Sequence, residues 1–499
     1  MNQRKTVLLF YPKTSENSSW YRIPLSLLAI ASQLDRKKYD IVIVDANIDK
    51  NYAKKILNLL ADRQKDVLCC GISSMTGYQI KGALEISRLV KKNSQIPVVW
   101  GGWHCSILPH DTLKNKYIDF VVRAQGEITF RELLLALETK KDSKKVLDGL
   151  FSGIDGLSYK KNGKVFHNKN RQFTDINMFN SLNYELVDVE KYIIKTDFGK
   201  RTINYISSQG CPYDCGFCAE VTVNKGKWSG LSPDKVLKEL EFLVRKYSID
   251  GFIFDDNSLF VNNKRVIEIC KGILNKKLNI KWGQANGRTD QLLKLSDEDW
   301  GLLKKSGCTS ILIGAESGSD KILKLINKRV NVENTIQLLK KAKKYGISIE
   351  ASLMAGFPEE PEKDLNKTLD LIDLTYSISS GHKVLLFFYT PYPGTPLFDM
   401  SVRNRLKIPK TLEQWSNYDL EHANTPWLSR NYIRKLRSII GYYLPVAFLT
   451  KNSKEIIRKR GIKGKALKIM NKLAVYRWKK RNFSFPIEYY LFNMFRKFV

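Results

Sequence analysis

Three of the eight cysteines fall in one short stretch, S-Q-G-C-P-Y-D-C-G-F-C-A-E, at Cys211, Cys215 and Cys218. This C-x3-C-x2-C spacing lets three thiolates reach three corners of an iron–sulfur cubane, whose usual protein ligands are cysteines. The fourth iron is then left without a protein ligand. An open coordination position is what a catalytic metal needs, in contrast to a closed structural one. Pro212 and Gly216 suit a chain that turns tightly around an inorganic core. A zinc site is the alternative and would need a fourth ligand; His104, His110, His167, His382 and His422 are all remote in sequence, although one could approach in space. Cys69, Cys70, Cys270 and Cys308 lie in apolar surroundings and read as core thiols.

The elements that must position this loop follow from the hydrophobic pattern. The loop comes directly after a predicted strand, I-N-Y-I-S-S, and from Thr202 onward strand-like runs alternate with helical ones: F-I-F-D-D, I-K-W-G-Q-A-N, S-I-L-I-G-A, I-S-I-E-A-S-L-M-A-G and K-V-L-L-F-F-Y-T. Six such units predict a partial (β/α)6 barrel, with its chemistry at the strand carboxyl ends. From Val7 to about Leu137, V-L-L-F, I-V-I-V, V-L-C-C-G-I and P-V-V-W also alternate with helices, which predicts a Rossmann-like α/β domain with a parallel sheet covered on both faces. Its carboxyl-end loops are Y-P-K-T-S-E-N-S-S-W, D-A-N-I-D-K, S-S-M-T-G-Y, G-G-W-H-C-S and R-A-Q-G-E. Between them the pattern loosens into a linker with a hairpin turning at Asn162-Gly163. The expected division is 1–140, linker 141–200, barrel 201–400 and a helical basic region 401–499, since 499 residues exceed one ordinary core.

The cysteine motif in this setting resembles the radical S-adenosylmethionine (SAM) superfamily, and so do F-I-F-D-D-N-S-L-F, I-L-I-G-A-E-S-G-S-D and M-A-G-F-P-E-E after later strands. The resemblance implies a [4Fe-4S] cluster whose unique iron chelates the amino and carboxylate groups of SAM, and reductive cleavage to a 5'-deoxyadenosyl radical. It places Glu316 on the SAM ribose, Ser317 or Arg288 at the methionine end, and the backbone around Met354, Gly356 and Phe357 against adenine. Each role has a plainer competitor. Asp255 and Asp256 could cap the following helix as readily as contact SAM. Glu316 could do the same, although a strand-end carboxylate can accept both ribose hydroxyls. Gly314, Gly318 and Gly356 would permit close backbone approach to a ligand.

Upstream, V-V-W-G-G-W-H-C-S-I-L-P-H-D-T-L and I-D-F-V-V-R-A-Q-G-E-I-T-F-R-E-L resemble the B12-binding domain of the cobalamin-dependent radical SAM class. Gly101, Gly102, His104, Gly126 and Glu127 match that class's loops, and Ser73, Ser74, Met75 and Thr76 belong to the loop expected to wrap the corrin. One departure stands out. Where many B12 domains carry D-x-H-x-x-G, this chain has Asp45-Ala46-Asn47-Ile48-Asp49-Lys50, and Asn47 is not a normal cobalt ligand. The class implies cobalamin bound without a strong lower protein ligand; the alternative is that the domain binds something else. His104 is expected to serve its own loop by hydrogen bonding more than to replace that ligand. Y-T-P-Y-P-G-T-P-L-F-D-M resembles the segment that ends the barrel in this class.

The resemblance implies methyl transfer to an unactivated carbon, or else oxidative cyclisation, ring contraction or rearrangement on the same architecture. It also implies a reductase or flavodoxin-type electron donor. Tyr389, Glu220 and Asp256 fall near the expected mouth and are candidate catalytic, substrate-contacting residues for a small-molecule or lipid substrate. A methylthiotransferase is disfavoured, because no second three-cysteine cluster precedes the barrel and the C-terminus does not read as a small RNA-binding barrel. A non-catalytic cobalamin sensor is argued against by the cysteine loop.

Bulk properties bound the partners. The formal net charge of +33 could favour nucleic acid, an anionic membrane or acidic substrates, or could simply be a solvated lysine-rich surface. Beyond Met400, Arg434, Lys435, Arg437, Arg458, Lys459, Arg460, Lys463, Lys465, Lys468, Arg477, Lys479, Lys480 and Arg481 interleave with large apolar residues. That pattern fits helices capping the barrel mouth, or a peripheral helix on an anionic membrane. No nucleic-acid fold accompanies the charge, so no nucleic acid is expected. The first apolar run reads as a strand and not as a signal peptide, so a cytoplasmic chain is expected. Ser438 to Thr450, interrupted by Pro445, is too short to span a bilayer.

Cys215→Ala is predicted to abolish both bound iron and SAM cleavage in anaerobically reconstituted protein; retained 5'-deoxyadenosine production would contradict the cluster assignment.

Overall fold

The computed structural model describes residues 4–16, 21–63, 66–142, 149–418, 425–449, 455, 457, 458 and 461–496. Asn17 to Trp20 of the first loop, His422, Lys459 and Arg460 lie outside the described residues, as does the side chain of Lys463.

Seven strands make the N-terminal sheet: β1 (Lys5–Tyr11), β2 (Tyr39–Asp45), β3 (Val67–Ser73), β4 (Val98–Gly101), β5 (Phe120–Val122), β6 (Leu157–Lys161) and β7 (Lys164–His167), in the order β2-β1-β3-β4-β5-β6-β7. The first five pair in parallel. Alternation along β1 sends Leu8 and Phe10 into one core and Val7 and Leu9 into the other, as a strand covered by helices on both faces requires. The Asn162-Gly163 hairpin forms with both residues at positive φ, 52° and 73°. It is not part of a free linker, however: β6 pairs antiparallel with β5, so the hairpin covers an edge whose backbone groups would otherwise be unpaired.

The second unit contains β8 (Thr202–Tyr205), β9 (Ser208–Gly210), β10 (Trp228–Gly230), β11 (Gly251–Phe254), β12 (Lys281–Gly283), β13 (Ala285–Gly287), β14 (Ser310–Glu316), β15 (Ser348–Ala355) and β16 (Lys383–Phe388). Its parallel strands run β8-β11-β12 and β13-β14-β15-β16, while β9 and β10 form a short antiparallel ribbon. β12 and β13 are the two halves of one strand broken at Gln284, whose φ is 51° and whose N–H donates to Ser310 Oγ at 2.9 Å. The six expected strands are therefore all present as a partial barrel, and the run I-N-Y-I-S-S divides between β8 and β9. Cys211 follows β9 directly.

After the barrel the chain returns to the first unit. Helix Leu412–Trp415 buries Trp415 in the core that holds Leu8 and Phe10, edge-on to His104 at 5.7 Å between ring centroids. Tyr418 Oη donates to Pro391 O at 2.6 Å, and Trp427 Nε1 donates to Gly356 O at 3.0 Å beside the carboxyl end of β15. Trp427, Leu428 and Leu436 come to Gly356 at the carboxyl end of that strand. The later helices lie along the outer barrel helix Glu362–Ile378: Tyr376 stacks on Phe448 at 4.2 Å, Trp478 Nε1 donates to Asp373 at 2.6 Å, and Arg481 pairs with Asp370 at 2.6 Å. Among the described residues no helix is long and apolar enough to cross a membrane.

Trp415→Ala removes a fully buried indole from the contact that fastens this return segment. It is predicted to cost about 3–5 kcal/mol, read as a lower urea midpoint of unfolding; an unchanged midpoint would show that the segment contributes nothing to the fold.

Candidate active site between the two α/β units

The two units face each other with their strand carboxyl ends. Asn204 in β8 accepts from Ile23 N–H at 2.8 Å and donates to Ile23 O at 3.3 Å, both bonds buried. Arg22 pairs with Asp255, Tyr192 Oη donates to Asp45 at 3.0 Å, and Gln125 Nε2 donates to Gln209 Oε1 at 2.8 Å. Between them lies a cavity of about 320 Å³. Ser73, Gly101, Gly102, Gly126 and Glu127 line it from the first unit, and Ser208, Gln209, Asn224 and Asn257 from the second. Leu27, Ile30, Phe130, Phe179 and Leu182 supply apolar surface.

Five of the nine residues expected around a corrin thus reach one cavity. Burial pushes the Glu127 carboxyl up to about 7, and its Oε2 has no partner. The other four turn elsewhere. Ser74 is buried with its N–H on Gly101 O at 2.9 Å, and Met75 stands half exposed. Thr76 Oγ1 meets His104 Nδ1 at 3.1 Å. His104 is fully buried, pushed down to about 3 by desolvation and so neutral, with its ring against Trp415. It holds loops together and does not line the cavity. Gly102, with φ +98°, is obligatory here, because a Cβ would come within 2.7 Å of Ser74 O. Asn47 is likewise engaged: its Oδ1 accepts from Thr14 N–H at 3.0 Å, and its Nδ2 donates to Asp45 at 2.7 Å and Pro12 O at 3.3 Å.

The cysteine loop is anchored at Gly216, whose N–H donates to Ile326 O at 2.9 Å and whose carbonyl accepts from Leu397 N–H at 3.0 Å. A Cβ there would lie 2.8 Å from Leu397 Cδ1. The three thiols feel one another: burial first, then its fellow cysteines, push Cys218 up to about 12, and burial and Cys215 raise Cys211. Among the described residues no three His, Cys, Asp or Glu side chains converge as they would around a single metal ion. Cubane thiolates are spread differently, one at each of three separate corners. Soft thiol donors on one tightly folded loop fit that group in kind and number.

A cationic cluster backs the loop. Arg288 places Nη1 3.5 Å from Cys215 Sγ, stacks 3.9 Å over Tyr213, pairs with Asp290 at 3.0 Å and donates to Lys328 O at 2.7 Å. Lys328 Nζ meets Glu316 Oε1 at 2.7 Å, with both side chains 7% exposed. Glu316 has φ +61°, and Gly314 leaves the room: a Cβ there would lie 2.1 Å from Glu316 Oε1 and 2.6 Å from Lys328 Nζ. A buried carboxylate, ammonium and guanidinium beside the thiols suit a zwitterionic ligand such as SAM. Lys328 escaped the sequence reading because nothing marks one lysine among 83 basic residues.

Three roles expected in the barrel are corrected. Ser317 Oγ sits 3.1 Å from Thr368 Oγ1 and accepts from Ser319 N–H at 3.1 Å, so it serves the contact with the outer helix. Tyr389 is 1% exposed in a closed apolar cluster, stacked on Phe357 at 4.9 Å with Oη 3.4 Å from Ser401 Oγ; it does not stand at an open mouth. Asp256 neither caps a helix nor faces the cavity. Fully buried, it accepts from Ser207 N–H, Ser207 Oγ at 2.8 Å and Ser208 Oγ, tying the end of β8 to β9, while Asn262 caps the helix that follows. His104, described above, hydrogen-bonds its neighbouring loop as expected and does not line the cavity. Met354 packs at the edge of the Tyr389 cluster, while Gly356 N–H and Phe357 N–H both bond Glu360. Glu220 opens the helix after the cysteine loop, 2% exposed and pushed up to about 7 by burial. Asn224 donates to it, its Oε2 has no partner, and Asn224 and Asn257 continue from it to the cavity wall.

Comparison with known proteins agrees with this geometry. The radical SAM superfamily model matches residues 205–372, and the B12 binding domain model matches residues 21–134. The chain is 30% identical to an uncharacterized methyltransferase of Pyrococcus horikoshii, over 88% of this chain and 93% of that protein. It is 25% identical to the anaerobic magnesium-protoporphyrin IX monomethyl ester cyclase of Rubrivivax gelatinosus, over 72% of this chain and 62% of that one. The fold resembles that of the radical SAM methyltransferase TsrM from Kitasatospora setae, solved with cobalamin and a [4Fe-4S] cluster bound, with a TM-score of 0.64 at 16% identity over 81% of this chain and 75% of that one. The chain belongs to the cobalamin-dependent radical SAM enzymes. Its cofactors are a [4Fe-4S] cluster, SAM and cobalamin.

Because Asn47 is spent on Thr14, Asp45 and Pro12, Asn47→Ala is predicted to leave corrinoid binding largely intact, measured by cobalamin absorbance after desalting; a corrinoid-free variant would make Asn47 a cofactor contact.

Proposed function

We propose that this enzyme transfers a methyl group to an unactivated carbon of a small-molecule or lipid substrate. The observation that carries the reading is a cavity walled by the B12-type loops on one side and by the residues following β8, β11 and the cysteine loop on the other. When bound, the cluster and SAM supply a hydrogen-abstracting radical and cobalamin supplies the methyl donor.

The chain's own residues then have separable tasks. Cys211, Cys215 and Cys218 hold the cluster, and Arg288 offsets the charge of the Cys215 thiolate. Glu316 accepts from the SAM ribose hydroxyls and Lys328 meets the SAM carboxylate, with the Met354 to Phe357 backbone alongside. Ser73, Gly101, Gly102, Gly126 and Glu127 form the corrin wall, where the unpartnered Glu127 Oε2 takes a hydrogen bond from an amide side chain of that ligand. Glu220, Asn224 and Asn257 face the substrate. The apolar lining keeps water from a radical centre. A reductase or flavodoxin-type donor delivers the electron. Non-methylating cyclisation is the second reading, favoured by the likeness to the cyclase of Rubrivivax gelatinosus.

The test is anaerobic reconstitution with iron, sulfide and hydroxocobalamin, followed by assay of bound metal, corrinoid and reductant-dependent 5'-deoxyadenosine. Iron, corrinoid and cleavage together are expected, with methylated product once an acceptor is supplied; cleavage without bound corrinoid would remove methyl transfer. In the same assay Lys328→Met is predicted to weaken SAM binding at least ten-fold, since a charged hydrogen bond contributes roughly 1.5–3 kcal/mol. Unchanged affinity would return Lys328 to a purely structural role.

A further inference from the structure

The last two described helices carry a face that the fold leaves open. Helix Ile462–Lys479 rests its inner side, Ala474 and Trp478, on the segment ending at Ala447 and on Asp373. Its outer side exposes Ile469 at 68%, Leu473 at 42% and Tyr476 at 62%, spaced i, i+4 and i+7 and so in one stripe. Lys465, Lys468, Lys472 and Lys479, spaced i, i+3, i+7 and i+14, make a second stripe alongside, all exposed. The following turn and helix Ile487–Arg496 add Phe485, 85% exposed, and Ile487, 66% exposed.

The charge on this face is uncompensated. The two arginines of the region are turned inward, Arg477 onto Glu488 at 3.1 Å and Arg481 onto Asp373 at 2.7 Å. Among the described residues no ion pair involves Lys465, Lys468, Lys472, Lys479 or Lys480. Residues 456–487 contain no aspartate or glutamate.

We infer that this face docks in the plane of an anionic lipid surface. Nucleic acid would satisfy the lysines but leave the aliphatic stripe of Ile469 and Leu473 in water. A surface with anionic headgroups above an apolar interior satisfies both stripes, the lysines reaching up to the headgroups along their alkyl stems. Such contact is superficial, because no described helix is long and apolar enough to cross the bilayer. The inference is independent of the cofactor chemistry and goes beyond it, bringing the active site to apolar molecules held in the lipid.

Cosedimentation of the full chain with vesicles tests this without any cofactor. Binding is expected to phosphatidylcholine vesicles containing phosphatidylglycerol, and to be much weaker with phosphatidylcholine alone or in high salt. Lys465→Gln, Lys468→Gln, Lys472→Gln and Lys479→Gln combined should lower partitioning by roughly two orders of magnitude or more, at about five-fold per lysine. Ile469→Ser with Leu473→Ser should also lower it, and circular dichroism should show both variants folded because every altered side chain is exposed. Absence of cosedimentation with the anionic vesicles, or equal binding to neutral ones, would overturn the inference. So would retention on single-stranded RNA without vesicle binding, which would assign the lysines to nucleic acid.

Discussion

The buried two-way bond between the Asn204 amide and the backbone of Ile23 expresses the constraint on which the rest depends: two α/β units must meet at their strand carboxyl ends. An α/β sheet offers its ligand site where its loops leave the strands. Opposing two such sites encloses one cavity lined from both units. The ties of Arg22 to Asp255 and of Gln125 to Gln209 join the same two units. The return of the chain through Trp415 fastens the same pair of units from behind.

Electrostatics differs between the cysteine loop and the cavity. On the barrel side, cations gather at the thiols: Arg288 beside Cys215, and Lys328 behind it. Burial lifts the Cys218 thiol to about 12, so a metal bound there would displace its proton. Near the cavity the opposite holds. Glu127 and Glu220 are each buried, each lifted to about 7 by desolvation, and each left with an unpartnered oxygen. A carboxyl lifted to about 7 is partly protonated near neutral pH, so each can donate as well as accept a hydrogen bond in an otherwise apolar space.

The sequence revealed what repeats or has fixed spacing. The six barrel strands, the covered parallel sheet, the Asn162-Gly163 turn and the cysteine loop all followed from period, turn chemistry and ligand spacing. The direction of single side chains did not. Asp256, Ser317 and Tyr389 sit at strand ends, where ligand contact and structural bonding have the same sequence signature; which one holds depends on a neighbour from another element, Ser208, Thr368 or Phe357. Lys328 was invisible for the converse reason, since its importance comes wholly from meeting Glu316 and from a glycine, Gly314, that makes room for the pair. The attachment of the hairpin to β5 also had no local sign, because edge pairing is a property of the whole sheet.

The central claim is that the cysteine loop and the B12-type loops serve one chamber. The most direct measurement is electron paramagnetic resonance of protein loaded with both cofactors and reduced so that the cluster and cob(II)alamin each carry an unpaired electron. The account predicts signals broadened or split by dipolar coupling between the two spins. Two independent, unperturbed spectra from a fully loaded sample would contradict it.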